Sequence, residues 1–121
     1  GARVSELVGS RSWRLAFEAS YEGPLSVRIG EESGLSITLE DGRLTVDLTG
    51  TRYPHGGRRI VTLDAGEASR VEILHDRSIT EIYLGDGSRV FTTRSFLNGE
   101  GAGVTLVGAA SVTNVSAARA D

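Results

Sequence analysis

Leu35, Ile37 and Leu39, the dipeptide Asp41-Gly42, then Leu44, Val46 and Leu48 put an apolar side chain at every second position on both sides of a tight-turn signal. Successive side chains of a strand point to opposite faces, so a period of two gives one dry face and one wet face, whereas a helix needs a period of 3.6. Asp-Gly supplies the positive φ angles of a two-residue hairpin turn. The segment predicts a β-hairpin with Ser36, Thr38, Thr45 and Asp47 on its wetter side.

The same alternation fills the chain. Trp13-Leu15-Phe17 and Leu25-Val27-Ile29 precede the hairpin, and residues 59–63 and 70–74 follow it. Residues 79–84 lead through Asp86-Gly87 into residues 89–96 as a second hairpin, and residues 104–107 and 111–115 close the chain. About eleven short strands at regular spacing predict an all-β fold, a two-sheet antiparallel β-sandwich of concanavalin-like type with little or no helix. No segment carries a helical apolar stripe over the ~11 residues of an average helix. The longest break, residues 50–57 with Pro54 and three glycines, reads as a loop. No shift of composition divides the chain, so residues 1–121 are expected to form a single module.

A domain of 121 residues buries roughly two-thirds of the surface its unfolded chain exposes, enough for one core without staples. Cysteine is absent, which removes disulfides and thiolate metal sites from consideration. Methionine is absent too, and the expectation is a module excised from a longer chain. All 13 basic residues are arginine; against 16 acids they leave a net charge of −3 and gather in no run longer than Arg58-Arg59. A nucleic-acid partner is not expected of that balance. Apolar stretches stay well short of the ~20 residues that span a bilayer, so no membrane partner is expected.

Catalytic patterns are sparse. The two histidines, His55 and His75, stand in no Gly-x-Ser-x-Gly or comparable nucleophile context, and neither they nor the acids have metal-ligand spacing. No metal and no cofactor is expected. Residues 99–103 are rich in glycine but lack the lysine and following helix of a phosphate cradle, and read as a loop between strands. Glycoside hydrolysis needs two carboxylates ~5–10 Å apart across a sugar. Glu31-Glu32 and Glu40-Asp41 are adjacent pairs that a strand would point in opposite directions. Glu81 is the acid that stands out, because it shares a strand face with Ile79 and Tyr83. A carboxylate there must be paired, hydrogen-bonded or exposed at a contact surface, and an arginine such as Arg77, Arg89 or Arg94 is the expected partner.

Around this strand the sequence resembles a known family. Asp76, Ser78, Glu81, Ile82, Tyr83, Asp86 and Gly87 fit the Asp-x-Ser-x-x-Glu-(Ile/Val)-(Phe/Tyr) then Asp-Gly signature near the end of glycoside hydrolase family 32, and Thr92-Thr93-Arg94-Ser95-Phe96 resembles its return strand. The resemblance is specific over residues 70–96 and diffuse from Trp13 to Val115. It implies a C-terminal β-sandwich attached to an N-terminal five-bladed catalytic propeller in invertases, levanases, inulinases and sucrose-6-phosphate hydrolases. The family's catalytic Asn-Asp-Pro, Arg-Asp-Pro and Glu-Cys motifs are missing from this sequence.

The resemblance therefore implies a non-catalytic module with no catalytic residue of its own. It would stabilise or orient the propeller of a parent glycosidase acting on sucrose or fructans; the compartment, secreted or cytoplasmic in a bacterial setting, depends on that parent and is not read from the sequence. Glu81 and Tyr83 are the expected interface residues, and a homodimer is left open. The alternative implied by related sandwiches is a fructan-binding module that recognises fructose units. Rings stacking on sugar and charged side chains bonding hydroxyls would serve that role. Trp13, Tyr53 and Tyr83 with Arg52, Arg58 and Glu81 are the candidates, although Trp13 alternates in phase with Leu15 and Phe17 and so also fits the core.

Overall fold

A computed structural model of the chain describes residues 2–30, 34–48, 57–87, 89–94 and 103–120. Nine strands form one antiparallel sheet: β1 Ala2–Arg3, β2 Ser12–Ile29, β3 Leu35–Glu40, β4 Arg43–Asp47, β5 Arg58–Thr62, β6 Arg70–Asp76, β7 Ile79–Leu84, β8 Arg89–Arg94 and β9 Val104–Arg119. Among the described residues the only helical segments are two 3₁₀ turns, Ser5–Leu7 and Glu67–Ser69.

The sheet curls over on itself through two long strands. The first half of β2, Ser12 to Glu18, pairs with β6, while its second half, Leu25 to Ile29, pairs with β3. β9 runs antiparallel to β2 along almost its whole length, from Trp13↔Arg119 to Ile29↔Val104. One layer is thus β8-β7-β6-β2-β9, and the facing layer is β5-β4-β3-β2-β9-β1. Inward positions of both layers form a single core, with Trp13, Leu15, Phe17, Val27, Ile37, Leu44, Ile73, Ile82 and Val104 all buried.

Two irregularities in the β2–β9 ladder make the bend possible. Register shifts fall between Ala16 and Glu18 and between Tyr21 and Leu25. At the first, Asn114 of β9 adopts φ 52°, a left-handed conformation that asparagine tolerates better than most residues. Just beyond the second, Gly108 has φ 151°, and a Cβ there would collide with the carbonyl oxygen of Pro24. Only glycine lets the two backbones pass so closely.

The sandwich expected from periodicity is present, with fewer and longer strands. The segments around 13–17 and 25–29 are the two ends of β2, and those at 104–107 and 111–115 both belong to β9. Alternation lapses at each bulge, which makes one bent strand read as two. Asp41-Gly42 forms the expected two-residue turn, with Gly42 at φ 91°. The second Asp-Gly is part of a longer turn, in which Gly85 (φ 65°) and Gly87 (φ 93°) take the positive angles. A third tight hairpin joins β6 to β7 through Arg77-Ser78, with Arg77 at φ 56°, and carries no glycine to announce it. Most of the loop expected at 50–57 lies outside the described residues, as does Phe96.

The crossover from β5 to β6 is anchored on the bend. The Tyr21 hydroxyl donates to the Ala68 carbonyl at 2.7 Å, and Gly66 N–H donates to the Asp41 side chain at 3.2 Å. Partial burial of Tyr21 pushes its phenol up to about 12.

Candidate functional site

The outward face of the first layer collects the charged and aromatic side chains that stand out in the sequence. Cross-strand register fixes their neighbours. Tyr83 of β7 lies between Glu72 of β6 and Val90 of β8, and Glu81 lies between Leu74 and Thr92. Ile79, Glu81 and Tyr83 occupy successive outward positions of β7, and Ile79 is 39% exposed while Val90 is 46% exposed. Across β7 and β8 this face sets Ile79 against Arg94, Glu81 against Thr92 and Tyr83 against Val90, so apolar and polar side chains share it.

That carboxylate is held from within its own strand. The Tyr83 hydroxyl donates to Glu81 Oε2 at 3.3 Å. Desolvation first, then the negative charges of Glu81 and Glu72, push the Tyr83 phenol above its usual range. The partner of Glu81 is therefore Tyr83, and none of the three arginines expected for it. Arg89 is committed to Glu67 at 2.8 Å, because its position on β8 faces inward, away from Glu81.

Beside Tyr83 the face dips into an open groove of about 240 Å³, lined by Arg14, Ala16, Arg70, Glu72 and Tyr83, with the Gly85–Gly87 turn at its end. Arg14 and Glu72 form an ion pair across it, and Arg70 reaches Glu18 at 3.5 Å. Asn114 also donates to Glu18, and that bond, ahead of Arg70, holds the Glu18 carboxyl below the usual carboxylate range. Guanidinium and carboxylate groups share the lining with Ala16 and the Tyr83 ring, so a small polyhydroxylated ligand would find donors and acceptors beside one ring. Arg14, Glu72 and Arg70 were not joined to Tyr83 at the sequence level, because alternation tells which face a residue occupies but not which strands are neighbours.

The other candidates do not converge here. Arg58 lies on the outward face of the opposite layer, paired with Asp47 at 3.2 Å. Arg52 and Tyr53 lie outside the described residues. Trp13 requires a correction: only 2% exposed, it packs in the core and has no surface to offer a sugar or a partner. His75 is buried against it and shares a 2.8 Å hydrogen bond between Nδ1 and Thr80 Oγ1. Burial, opposed by the Asp76 charge, depresses the His75 imidazole below its ordinary value. Asp76 accepts from the Ser12 hydroxyl at 2.6 Å and so fastens the start of β2 to the end of β6. Among the described residues no group of three or more histidine, aspartate or glutamate side chains could hold a metal ion, and no helix is long and apolar enough to cross a membrane.

The segment that carries the family signature is thus the β6-β7-β8 meander behind this face. The profile described as "Glycosyl hydrolases family 32 C terminal" matches residues 8–120, nearly the whole chain. The chain belongs to this family.

Solved structures with the fold of this family 32 C-terminal module include full-length hydrolases. Sucrose-6-phosphate hydrolase from Lactobacillus gasseri superposes with a TM-score of 0.77 at 17% identity, covering 97% of this chain and 26% of that one. The family 32 β-fructofuranosidase of Bombyx mori gives 0.72 at 19% identity, covering 91% and 23%. The chain therefore spans about a quarter of the length of these enzymes. Sheep galectin-11, solved in complex with glycerol, shares the fold over most of its own length, with a TM-score of 0.65 at 12% identity and coverage of 90% and 91%. None of the curated proteins matches the chain.

Proposed function

We propose that this chain is the non-catalytic C-terminal β-sandwich of a β-fructofuranosidase-type glycoside hydrolase, and that it stabilises and orients a catalytic propeller in the same polypeptide. The observation that carries this reading is the family match over residues 8–120 combined with coverage of only about a quarter of the enzymes that share the fold. The outward face of β7 and β8 supplies the contact: Ile79, Tyr83 and Val90 give apolar area, and Glu81 gives an acceptor already oriented by Tyr83. Interfaces favour this mixture of aromatic and apolar centre with a few fixed polar groups. In the parent enzyme, Tyr83→Ala with Ile79→Ser should lower the melting temperature and shorten the half-life of sucrose- or fructan-hydrolysing activity. Unchanged stability and activity would refute the docking role.

A second reading, recognition of fructose units, is favoured by the groove between Arg14, Glu72 and Tyr83. Titration calorimetry of the chain with fructose, sucrose, levan and inulin tests it. Saturable heat that disappears in Tyr83→Ala and Arg14→Ala supports binding, while silence with all four sugars removes it.

A further inference from the structure

β5 and β8 are the two ends of the strand path, and among the described residues each is paired on one side only. The curl of the sheet brings these free edges opposite each other. Arg59 of β5 donates through Nη2 to the carbonyl of Thr92 at 3.2 Å, and Arg89 of β8 donates through Nη2 to the carbonyl of Thr62 at 3.0 Å. A step of three residues up β5 matches a step of three residues down β8, so the edges run antiparallel and in register without forming a ladder.

Both arginines occupy inward positions. Arg59 pairs with buried Val46 and Arg89 with buried Leu84, where alternation would otherwise place apolar side chains. Arg89 is further fixed by Glu67 at 2.8 Å and by the Phe91 ring, 5.4 Å from its guanidinium carbon. Inward charges on edge strands are a known way of making an edge a poor template for another strand. Here the two guanidinium groups do more, because each occupies a carbonyl that an incoming strand would need.

We propose that Arg59 and Arg89 are a reciprocal latch that closes the β5–β8 seam, and that the surface they keep shut is a strand-acceptor edge for a second copy of this chain. The backbone geometry identifies which groups are at stake. In an antiparallel strand the N–H and C=O of one residue point to the same side. The Thr62 and Thr92 carbonyls face the seam, so their N–H groups do too. These are the donors a foreign strand would use.

The test replaces the latch without emptying it. In the 121-residue chain, Arg59→Met and Arg89→Met keep the aliphatic stems and Glu67→Gln removes the carboxylate left behind. Sedimentation velocity should show self-association at least ten-fold tighter than for the unmodified chain. Adding Thr62→Pro and Thr92→Pro, which delete the central seam-facing N–H group of each edge at positions where an edge strand tolerates proline, should weaken that association back toward the original state. Association no tighter than in the unmodified chain, or association indifferent to the prolines, would overturn the proposal. Should the latch variant not fold, the unmodified chain still decides: titrated with a peptide of residues 89–94 it should show no binding, and saturable binding would mean that the seam stands open without any change.

Discussion

Trp13 and His75 face each other across adjacent strands and stack their rings inside the core, with centroids 5.2 Å apart and planes 27° from parallel. Because burial depresses the His75 imidazole below its ordinary value near 6.5, the folded chain holds it neutral while the unfolded chain can take up a proton. The stabilisation is complete above that value and falls as pH drops through and below it. The loss is at most about 1.4 kcal/mol per pH unit while only the unfolded chain is protonated. Denaturant melts between pH 5 and 7.5 should show this slope, and it should flatten in His75→Gln.

Tyr21 gives the mirror case at alkaline pH. With its phenol pushed up to about 12, the folded chain keeps the proton that an unfolded tyrosine releases near 10. Its contribution is therefore full below pH 10 and is lost as pH rises toward 12. Tyr21→Phe should cost about 1 kcal/mol at neutral pH, the usual worth of one hydrogen bond, here the one to Ala68. Thermal melts of the two proteins at pH 7, 10 and 11 should converge as the wild type gives up its advantage.

The β2–β9 crossing predicts a difference between two glycines. Gly9 has φ 80° with open space around it, so Gly9→Ala meets only backbone strain of about 1 kcal/mol. Gly108→Ala adds a collision with the Pro24 carbonyl in a paired region and should cost about 3 kcal/mol or more. Paired urea titrations compare them directly, and equal costs would contradict the close approach.

Asn114 carries two duties, its left-handed backbone and its bond to Glu18. Asn114→Gly keeps the first and removes the second. Stability should change little, while the Glu18 carboxyl, no longer held down chiefly by Asn114, rises toward its ordinary range. Carboxyl-carbon NMR titration of Glu18 reads this without reference to folding.

The fold was largely legible because burial on one face forces strict alternation, and Leu35–Leu39, Leu44–Val46 and Val71–Ile73 keep it without interruption. What escaped was set by relations between distant residues. The continuity of β2 depends on β9, whose partners lie as far away as Arg119 is from Trp13, and a bulge looks in sequence like a strand end. Arg77-Ser78 turns the chain because β6 and β7 pair around it, against its local preference. At the candidate site, Glu81 and Tyr83 were visible as members of one face. Their hydrogen bond, the groove with Arg14 and Glu72, and the inward turn of Arg89 needed the register of neighbouring strands. Trp13 is the opposite case: its chemistry suits a sugar, but its phase with Leu15 and Phe17 already fits the core, where the structure places it.

β2 also sets the order in which this chain can be assembled. The strand that flanks almost its whole length is β9, so Trp13 waits for Arg119 and Ile29 for Val104. Pairings so far apart in sequence form slowly, since the loop between them must close first. Until β9 docks, the sandwich carries an unfinished flank through both layers. In refolding from urea, amide protection in β2 and in the sixteen-residue β9 should therefore appear together and last, closing both layers in one event.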